Sequence, residues 1–299
     1  MSYSFYKPEL VPDVFKLQNI GVICWCNSLI QALLSCSALN AILLDNRGDF
    51  DGNSFAEEYL RLLACVLPNT PQCPKINPDD YSGASAKIMM QFVKRLKEKN
   101  ISLRFNSQEC ADEALVMFLD MFGSVKVDNV FKNSYETVII CKECGDVLRA
   151  PRDNSVQIEM FTNTPLKTEG AFQDYIRVHP SVVDSYKCEK CGTVSKNVMR
   201  VEKLKMLREV IVLVFNKYYD KSLIWFPEIL SFRATSGKDL KYKIVAQIEH
   251  AGSRFGGHYY ANVLRGDVHR ANDTSIAKMS GFQPTAETYM VFYHLYEEA

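Results

Sequence analysis

Hydrophobic side chains recur along the chain with two different periods, and the period changes near residue 129. Before that point the apolar positions are three or four residues apart, as on one face of a helix. The spacing predicts helices over residues 24–39, 54–66, 85–97 and 107–121. Capping boxes are predicted at Ser54 with Glu57 and at Asn106 with Glu109, and the proline-rich residues 68–78 are predicted to form a loop.

After residue 129 the apolar side chains alternate or form short continuous runs, which is typical of strands. Strands are predicted over residues 135–140, 156–161, 194–201, 210–216, 242–249, 258–264 and 289–293. The run at 210–216 is largely apolar, which indicates a strand buried on both faces. Helices first and strands later predict an α+β fold with an antiparallel sheet and a functional site between the two halves.

Charge and composition narrow the class of partner. The chain has 35 basic and 35 acidic side chains, so no global field attracts nucleic acid or an anionic membrane. The first ten residues do not resemble a signal peptide, and the longest apolar runs are too short to span a bilayer. We therefore expect a monomer of the cytoplasm and/or the nucleus, with no nucleic-acid or membrane partner.

Ten cysteines without a secretory signal favour a reducing compartment over a disulfide framework. Four of them form two C-x-x-C-G turns, Cys141/Cys144 and Cys188/Cys191. Two such turns supply four thiolates, the tetrahedral ligand set that suits a closed, structural zinc site. We expect one Zn²⁺ per chain and no organic cofactor. A zinc ribbon can also bind nucleic acid, but acidic residues offset the nearby lysines.

A further cysteine has the setting of a reactive thiol. Cys24 lies at the predicted start of the first helix, where unpaired N–H groups stabilise a thiolate. His258 follows a Gly-Gly pair in a predicted strand, and Asn272 with Asp273 come one strand later. The order Cys, His, then Asn or Asp is that of a papain-type thiol hydrolase.

The sequence offers one rival for each of these roles. Cys26 follows Cys24 by two residues, so at 3.6 residues per turn it points about 200° away and is expected to face the core. His250 lies near the same loop as His258 and is the competing base.

Several segments together resemble the ubiquitin-specific proteases. Residues 19–31 are similar to the cysteine box, which reads N-x-G-N-T-C-Y-M-N-S-x-x-Q in the family, and residues 250–259 are similar to the histidine box, H-x-G-x-x-x-x-G-H-Y. The resemblance extends from about residue 17 to residue 293. It includes the N-D pair at 272–273, the Q-Q-D-A-x-E-F-L helix at 108–115, and palm strands at 226–227 and 289–293.

The resemblance implies a thiol-dependent isopeptidase that removes ubiquitin or a ubiquitin-like modifier. Cys24 would attack the carbonyl of the modifier's C-terminal glycine, and His258 would act first as base and then as acid. Asn272 would orient His258 with Asp273 as a helper, and Asn19 would join the oxyanion hole. Which of Asn272 and Asp273 is the main orienter is left open.

The resemblance also implies the architecture and the substrate contacts. It predicts one papain-like catalytic domain over residues 1–299, with a helical thumb (15–125), zinc-bearing β fingers (126–205) and an antiparallel β palm (206–299). Specificity for glycine would come from a narrow channel in which any side chain would clash. The residues expected to contact the modifier are Gln108, Glu109, Asp112, Gly256, Gly257 and Tyr259.

Two positions depart from the family pattern. Cys110 stands where the family has an aspartate that helps receive the modifier's arginine-bearing tail, and Ala271 stands where it has an aromatic residue. A thiol cannot pair with a guanidinium, although Glu109 or Asp112 would compensate. Four other interpretations are left open. They are a ubiquitin-binding module with impaired catalysis, an isopeptidase for another modifier, a papain-like peptidase and a zinc-ribbon binding protein.

Overall fold

The protein is described by a computed structural model that covers residues 5–67, 90, 92–95, 97–98, 109–160, 166, 168–215, 223–234, 237–253 and 256–298. Its first half is helical and its second half is largely β, as the change of period predicts. The helices are α1 (Cys24–Leu34), α2 (Ser37–Asp45), α3 (Ser54–Val66), α4 (Ala111–Phe122), α5 (Val125–Phe131) and α6 (Glu169–Arg177). Two 3₁₀ turns occupy Pro8–Leu10 and Arg47–Phe50.

The strands are β1 (Asn133–Ile140), β2 (Val147–Ser155), β3 (Gln157–Glu159), β4 (Val178–Lys187), β5 (Val194–Met206), β6 (Val210–Val214), β7 (Ile229–Arg233), β8 (Asp239–Ser253), β9 (Gly256–Arg265), β10 (Asp267–Asn272), β11 (Ser275–Lys278) and β12 (Thr288–Glu298). They form a four-stranded sheet in the order β2-β1-β5-β4 and an eight-stranded sheet in the order β11-β10-β9-β8-β12-β6-β3, with β7 paired to β8. The expectation of antiparallel pairing is wrong at one place, because β3 joins β6 in parallel.

The prediction of a single helix over residues 24–39 is wrong. α1 ends at Leu34, and α2 begins at Ser37 at an angle of 78° to it. The helix stops because the backbone N–H groups of Ser35 and Cys36 turn back to the carbonyls three residues earlier, as in a tightened 3₁₀ turn. No single helix in the described ranges is long and apolar enough to cross a bilayer, and α1 with α2 meets that test only as a bent pair.

Both predicted capping boxes are shifted in the structure. Asn53, not Ser54, caps α3, since its Oδ1 accepts hydrogen bonds from the backbone N of Phe55 and of Ala56 at 3.2 Å each. α4 starts at Ala111 with Cys110 as its N-cap residue, so the helix begins later than Asn106 and Glu109 predict.

Asn106 and the loop predicted at 68–78 lie outside the described residues. Of the helix predicted at 85–97, the described residues 90, 92–95 and 97 are helical.

The eight-stranded sheet separates two hydrophobic cores. On one face, alternate residues of β6 (Val210, Val212 and Val214) join the core that α1, α3 and α4 cover. On the other face, Ile211 and Leu213 join a core with α6 and β7. The strand is therefore buried on both sides, which confirms the interpretation of its apolar run.

The four-stranded sheet extends from the second core as two long hairpins. β1 and β2 form one hairpin, β4 and β5 form the other, and β1 pairs with β5 between them. The two C-x-x-C-G turns lie at the ends of these hairpins, between β1 and β2 and between β4 and β5. This pairing places cysteines 44 to 50 residues apart next to each other.

His294 of β12 is fully buried and connects the sheet to α2. Its Nε2 accepts a hydrogen bond from the backbone N of Ala38 at 3.1 Å, and its Nδ1 donates to the carbonyl O of Leu295 at 2.8 Å. Burial lowers the pKa of His294 to about 4, because the imidazolium would lose its hydration. The neutral ring is the form that caps the start of α2.

We predict that His294 makes the protein acid-sensitive between pH 7 and pH 4. In this range the unfolded chain, with a histidine pKa of about 6.5, binds a proton that the folded chain does not, so the free energy of unfolding falls as pH falls. From pH 7.5 to 5.0 the loss due to His294 is about 2 kcal/mol. Urea unfolding of wild-type protein and His294→Gln at both pH values measures it. The variant is expected to be less stable at pH 7.5 but to lose about 2 kcal/mol less on acidification, and equal losses would contradict the prediction.

Candidate active site

Cys24 is the first residue of α1, as the sequence predicts, and its side chain is buried. The loop before it is held by Asn19, whose Oδ1 accepts a hydrogen bond from the backbone N of Ile23 at 3.0 Å. Ile23 is the N-cap residue, and its side chain does not cap the helix. The positive end of the α1 dipole therefore lies next to Cys24. This setting favours the thiolate form of Cys24.

Cys26 does not share this setting. It is fully buried in the first core, and burial raises the pKa of its thiol well above the usual range, with a smaller contribution from the neighbouring Cys24. A neutral thiol packed in the core is a poor nucleophile. The raised pKa of Cys26 therefore makes it a weaker candidate for the nucleophile.

His258 and Asn272 meet at the ends of neighbouring strands. His258 is in β9, Asn272 is the last residue of β10, and their Nε2 and Oδ1 atoms are 2.6 Å apart. A carbonyl oxygen only accepts, so Nε2 carries the hydrogen in this contact and Nδ1 is the nitrogen left to act as a base. The His258 side chain is 40% exposed, as an accessible base requires.

Asp273 lies farther from the histidine and is already occupied. Its Oδ2 is 3.9 Å from His258 Nε2 and accepts from Asn19 Nδ2 at 3.0 Å, while its Oδ1 accepts from Asn27 Nδ2 at 2.7 Å. Its backbone φ of 50° is in the left-handed region, in the turn after β10. Asp273 thus ties the loop before α1, and α1 itself, to the turn that carries Asn272.

The role of Asn27 is missed by sequence reasoning, although it is part of the cysteine box. It lies three residues after Cys24, close to one helical turn, so the two side chains start from the same side of α1. That spacing is the signal that relates Asn27 to the site.

His250, the competing base, is enclosed by aromatic rings. It is 3% exposed, and its ring lies 4.3 Å from that of Tyr259 and 6.1 Å from that of Tyr289. Tyr259 is 2% exposed, so the expectation that it contacts the modifier is replaced by a role in this aromatic cluster. His250 supports the strand that carries His258 and lacks its exposure.

The two glycines before His258 have different surroundings. A Cβ on Gly257 would lie 2.5 Å from the carbonyl O of Ala251 and 2.5 Å from Nε2 of His250, whereas a Cβ on Gly256 would meet no atom within 4 Å. Gly257 is therefore required by internal packing, whereas Gly256 borders space that is open within the described part of the chain. That both glycines line a substrate channel stays a prediction, and the space for a substrate backbone lies at Gly256 rather than at Gly257.

The expected tail-binding residues at the start of α4 are partly placed. Asp112 is in the first turn of α4, and its Oδ1 accepts a hydrogen bond from Tyr289 Oη at 2.6 Å. Glu109 and Cys110 precede the helix and are half-buried. Gln108 lies outside the described residues.

Cys141, Cys144, Cys188 and Cys191 form one cluster, with all four Sγ atoms within 4.8 Å of one another. Cys141 Sγ is 3.8 Å from Cys191 Sγ, and Cys144 Sγ is 3.7 Å from Cys188 Sγ. At a Zn–S distance of about 2.3 Å, the edge of a tetrahedral site is about 3.8 Å. The four thiols thus have the arrangement of a closed tetrahedral metal site.

The turns that carry these cysteines are built alike. Gly145 and Gly192 have φ values of 69° and 73°, which favour glycine, and each donates its N–H to the carbonyl of the cysteine four residues earlier. Hydrogen bonds from the side chain and backbone of Thr193 lower the pKa of Cys191 to about 6. A lowered thiol pKa favours the thiolate that a metal binds.

Comparison with known proteins identifies the family. The chain matches the sequence profile of "Ubiquitin carboxyl-terminal hydrolase" over residues 15–293. The chain belongs to this family. It is a family of cysteine-type deubiquitinases, so the chain is a hydrolase of that type, and the resemblance stated from the motifs is confirmed.

Curated relatives carry the same family name. Ubiquitin carboxyl-terminal hydrolase 4 of Arabidopsis thaliana is 24% identical, over 85% of this chain and 82% of the relative. Ubiquitin carboxyl-terminal hydrolase 2 of Homo sapiens is 20% identical over 93% of this chain, which spans only 54% of that relative.

Solved structures show the same fold. The structure of the SAGA Ubp8/Sgf11/Sus1/Sgf73 DUB module bound to ubiquitin aldehyde aligns with a TM-score of 0.73 at 16% identity, over 100% of this chain and 72% of that chain. A second structure, of the same four-protein module bound to monoubiquitin, aligns over the same shares of the two chains with a TM-score of 0.72 at 16% identity. The predicted α+β, papain-like fold is confirmed.

We predict different outcomes for alanine at the two glycines. Gly257→Ala places its Cβ against His250 and a backbone carbonyl, so the thermal unfolding midpoint should fall by several degrees. Gly256→Ala, the matched control, adds a methyl group in open space and should leave the midpoint within about 1 °C. Differential scanning fluorimetry of both variants checks this. Equal midpoints for the two would show that the packing around Gly257 does not restrict it.

Proposed function

We propose that the chain removes ubiquitin from its conjugates by thiol-dependent isopeptide hydrolysis, with Cys24 as the nucleophile and His258 as the base. The observation that carries this proposal is the 2.6 Å contact of His258 Nε2 with Asn272 Oδ1, in a family member whose Cys24 begins a buried helix. The contact leaves Nδ1 of His258 for the thiol proton. Relatives solved with bound ubiquitin support ubiquitin as the modifier.

In the proposed reaction Nδ1 of His258 takes the proton of the Cys24 thiol. The thiolate adds to the carbonyl carbon of the modifier's C-terminal glycine, and the negative charge moves to the carbonyl oxygen. His258 then protonates the leaving lysine Nζ, the C–N bond breaks and a thioester remains. A water molecule that His258 deprotonates hydrolyses the thioester and restores the Cys24 thiol.

Asn19 is proposed to stabilise the oxyanion. Its amide is fixed, because Oδ1 accepts from Ile23 N at 3.0 Å and one N–H of Nδ2 is directed at Asp273 Oδ2 at 3.0 Å. The second N–H of Nδ2 is the donor that we assign to the oxyanion. Such a donor is typically worth ~10²–10³ in rate.

Of the two candidate orienters, the geometry supports Asn272. Its Oδ1 is in direct contact with His258, whereas Asp273 is 3.9 Å away and accepts hydrogen bonds from Asn19 and Asn27 on both oxygens. We propose that Asn272 orients the imidazole and that Asp273 holds the Asn19 loop and α1 in place.

A reactive ubiquitin probe tests the proposal directly. Wild-type protein incubated with ubiquitin that carries a C-terminal thiol-reactive group is expected to form one covalent adduct, visible by intact-protein mass spectrometry. Cys24→Ala should form none, and Cys26→Ala, the matched control in the same helix, should still react. The same probe built on other ubiquitin-like proteins decides which modifier is recognised.

Three outcomes of this experiment would contradict the proposal. A folded wild-type protein that forms no adduct with any probe, but binds ubiquitin, would be a binding module rather than an enzyme. An adduct that survives Cys24→Ala would refute Cys24 as the nucleophile. A stronger reaction with another modifier would make this chain an isopeptidase for that modifier.

For the four-cysteine cluster we propose a structural Zn²⁺, one per chain. The sulfur distances fit zinc, and four thiolates leave no open coordination position, so the ion would hold the ends of the β1–β2 and β4–β5 hairpins together. The side chains of Lys190 and Asp146 also join the two turns, at 3.2 Å.

We predict one mole of zinc per mole of protein purified without chelator, measured by plasma mass spectrometry. Cys188→Ser removes a buried ligand and should lower the zinc content by at least about half, because a site with three thiolates binds the ion more weakly. Cys36→Ser, a buried cysteine outside the cluster, should keep full zinc. Wild-type protein without zinc would contradict the assignment.

We propose that residues 1–299 form one catalytic domain divided into thumb, fingers and palm, that it acts as a monomer, and that it works in the reducing cytoplasm and/or nucleus. Reduced cysteines support the compartment, since both the proposed nucleophile and the zinc ligands need thiolates. Imaging of the tagged protein and sedimentation analysis test location and mass, and a secreted or dimeric protein would contradict them.

A further inference from the structure

Arg265 is a buried cation that forms no ion pair with the described residues, and Asp13 acts on it electrostatically from farther away. It is the last residue of β9 and is 8% exposed, and its guanidinium bonds a hydroxyl and a carbonyl rather than a carboxylate of the described residues. Burial lowers the pKa of Arg265 to about 10, so the guanidinium is still charged at neutral pH. A buried charge normally requires a compensating partner.

The compensating partner is the C-terminal end of α1. Arg265 Nη2 donates to the carbonyl O of Gln31 at 2.9 Å, and Nη1 donates to Ser35 Oγ at 2.6 Å. Ser35 Oγ in turn donates to the same Gln31 carbonyl at 3.1 Å. A helix C-terminus carries partial negative charge, so it stabilises a cation placed there.

α1 and β9 are the two elements that carry the proposed nucleophile and base. Cys24 begins α1 and His258 is near the start of β9, while Gln31 and Arg265 are each seven residues farther along. Between the two ends the contact is apolar, because Tyr259, Ala261 and Val263 belong to the same core as α1. Apolar contacts are not directional, so they do not by themselves fix the helix along the strand.

We propose that Arg265 is a positioning residue for catalysis. Its two hydrogen bonds fix the far end of α1 against β9, and thereby set Cys24 relative to His258 at the other end. A displacement of about 1 Å in such a pair can cost ~10²-fold in rate. The inference rests on the proposed function and adds to it a residue that touches neither substrate nor reacting atoms.

Stability alone is a weaker explanation of this arrangement. Replacement of a buried charge by an apolar side chain of similar volume is often neutral or stabilising. Nε of Arg265 has no hydrogen-bond partner among the described residues, which adds to the cost of burying the guanidinium. Burial of the Arg265 guanidinium therefore lowers the free energy of unfolding, whereas its directional hydrogen bonds fix the position of α1 relative to β9.

The test measures kcat and KM with ubiquitin that carries a fluorogenic C-terminal amide. Rates are expressed per reactive Cys24, titrated with the ubiquitin probe, so that loss of folded protein does not enter them. Arg265→Met is expected to lower kcat about 10- to 100-fold with KM within about twofold. Arg265→Lys keeps the charge and can reach one acceptor, so it should recover part of the loss.

Ser35→Ala removes one of the two acceptors of Arg265 and should lower kcat about threefold. This variant keeps the proposal testable if Arg265→Met does not fold.

Arg208→Met is the matched control. Arg208 Nε donates to the carbonyl O of Lys132, which follows α5, so its loss should leave kcat per reactive Cys24 unchanged.

Wild-type kcat per reactive Cys24 in Arg265→Met, or in Ser35→Ala if the former does not fold, would overturn the positioning role. So would a lysine variant as slow as the methionine variant. Wild-type protein that neither reacts with the probe nor cleaves the amide would refute the proposed function instead, so the two failures are distinguishable.

Discussion

The site depends on one constraint, which is the complete burial of α1. All eleven of its residues are buried, so the backbone groups at its ends cannot be solvated by water and need partners from the protein. At the C-terminal end every one of the last four carbonyls has a partner. They are Gln31 O with Arg265, Ala32 O with Ser35 N, Leu33 O with Cys36 N, and Leu34 O with Asn40 Nδ2. A helix held in this way has little freedom to move Cys24.

The buried backbone N–H groups at the N-terminal end of α1 also need partners, and one of these partners is a residue of the proposed site. The side chain that accepts from Ile23 N is Asn19, and the amide of Asn19 is held in turn by Asp273. Because Asp273 also accepts from Asn27, one carboxylate fixes the loop before the helix, the first turn of the helix and the turn after Asn272. The contacts that complete the start of α1 are therefore the same contacts that hold the proposed site residues together.

The features that could be predicted from the sequence are those set by local spacing. The start of α1, the doubly buried β6 and the four-cysteine cluster follow from helix, strand and C-x-x-C patterns. The break after Leu34 could not be predicted, because its stability depends on His294, which contacts Ser37 from 257 residues away. Gly257 and Arg265 likewise owe their importance to a hairpin register and a helix contact that no local pattern reveals.

The cysteine at position 110 leaves the acidic start of α4 in place. Cys110 precedes α4 and leaves two acidic residues, Asp112 and Glu113, in its first turn. The carboxylate of Asp112 is held by Tyr289, whose ring lies 5.6 Å from that of Tyr259, the neighbour of His258. The acidic end of α4 is thus fixed relative to the strand that carries the base. Since only one of the two Asp112 oxygens is used within the described part of the chain, the other can still accept from a cationic tail. Asp112, rather than Cys110, thus offers a carboxylate oxygen to a cationic group at this end of α4.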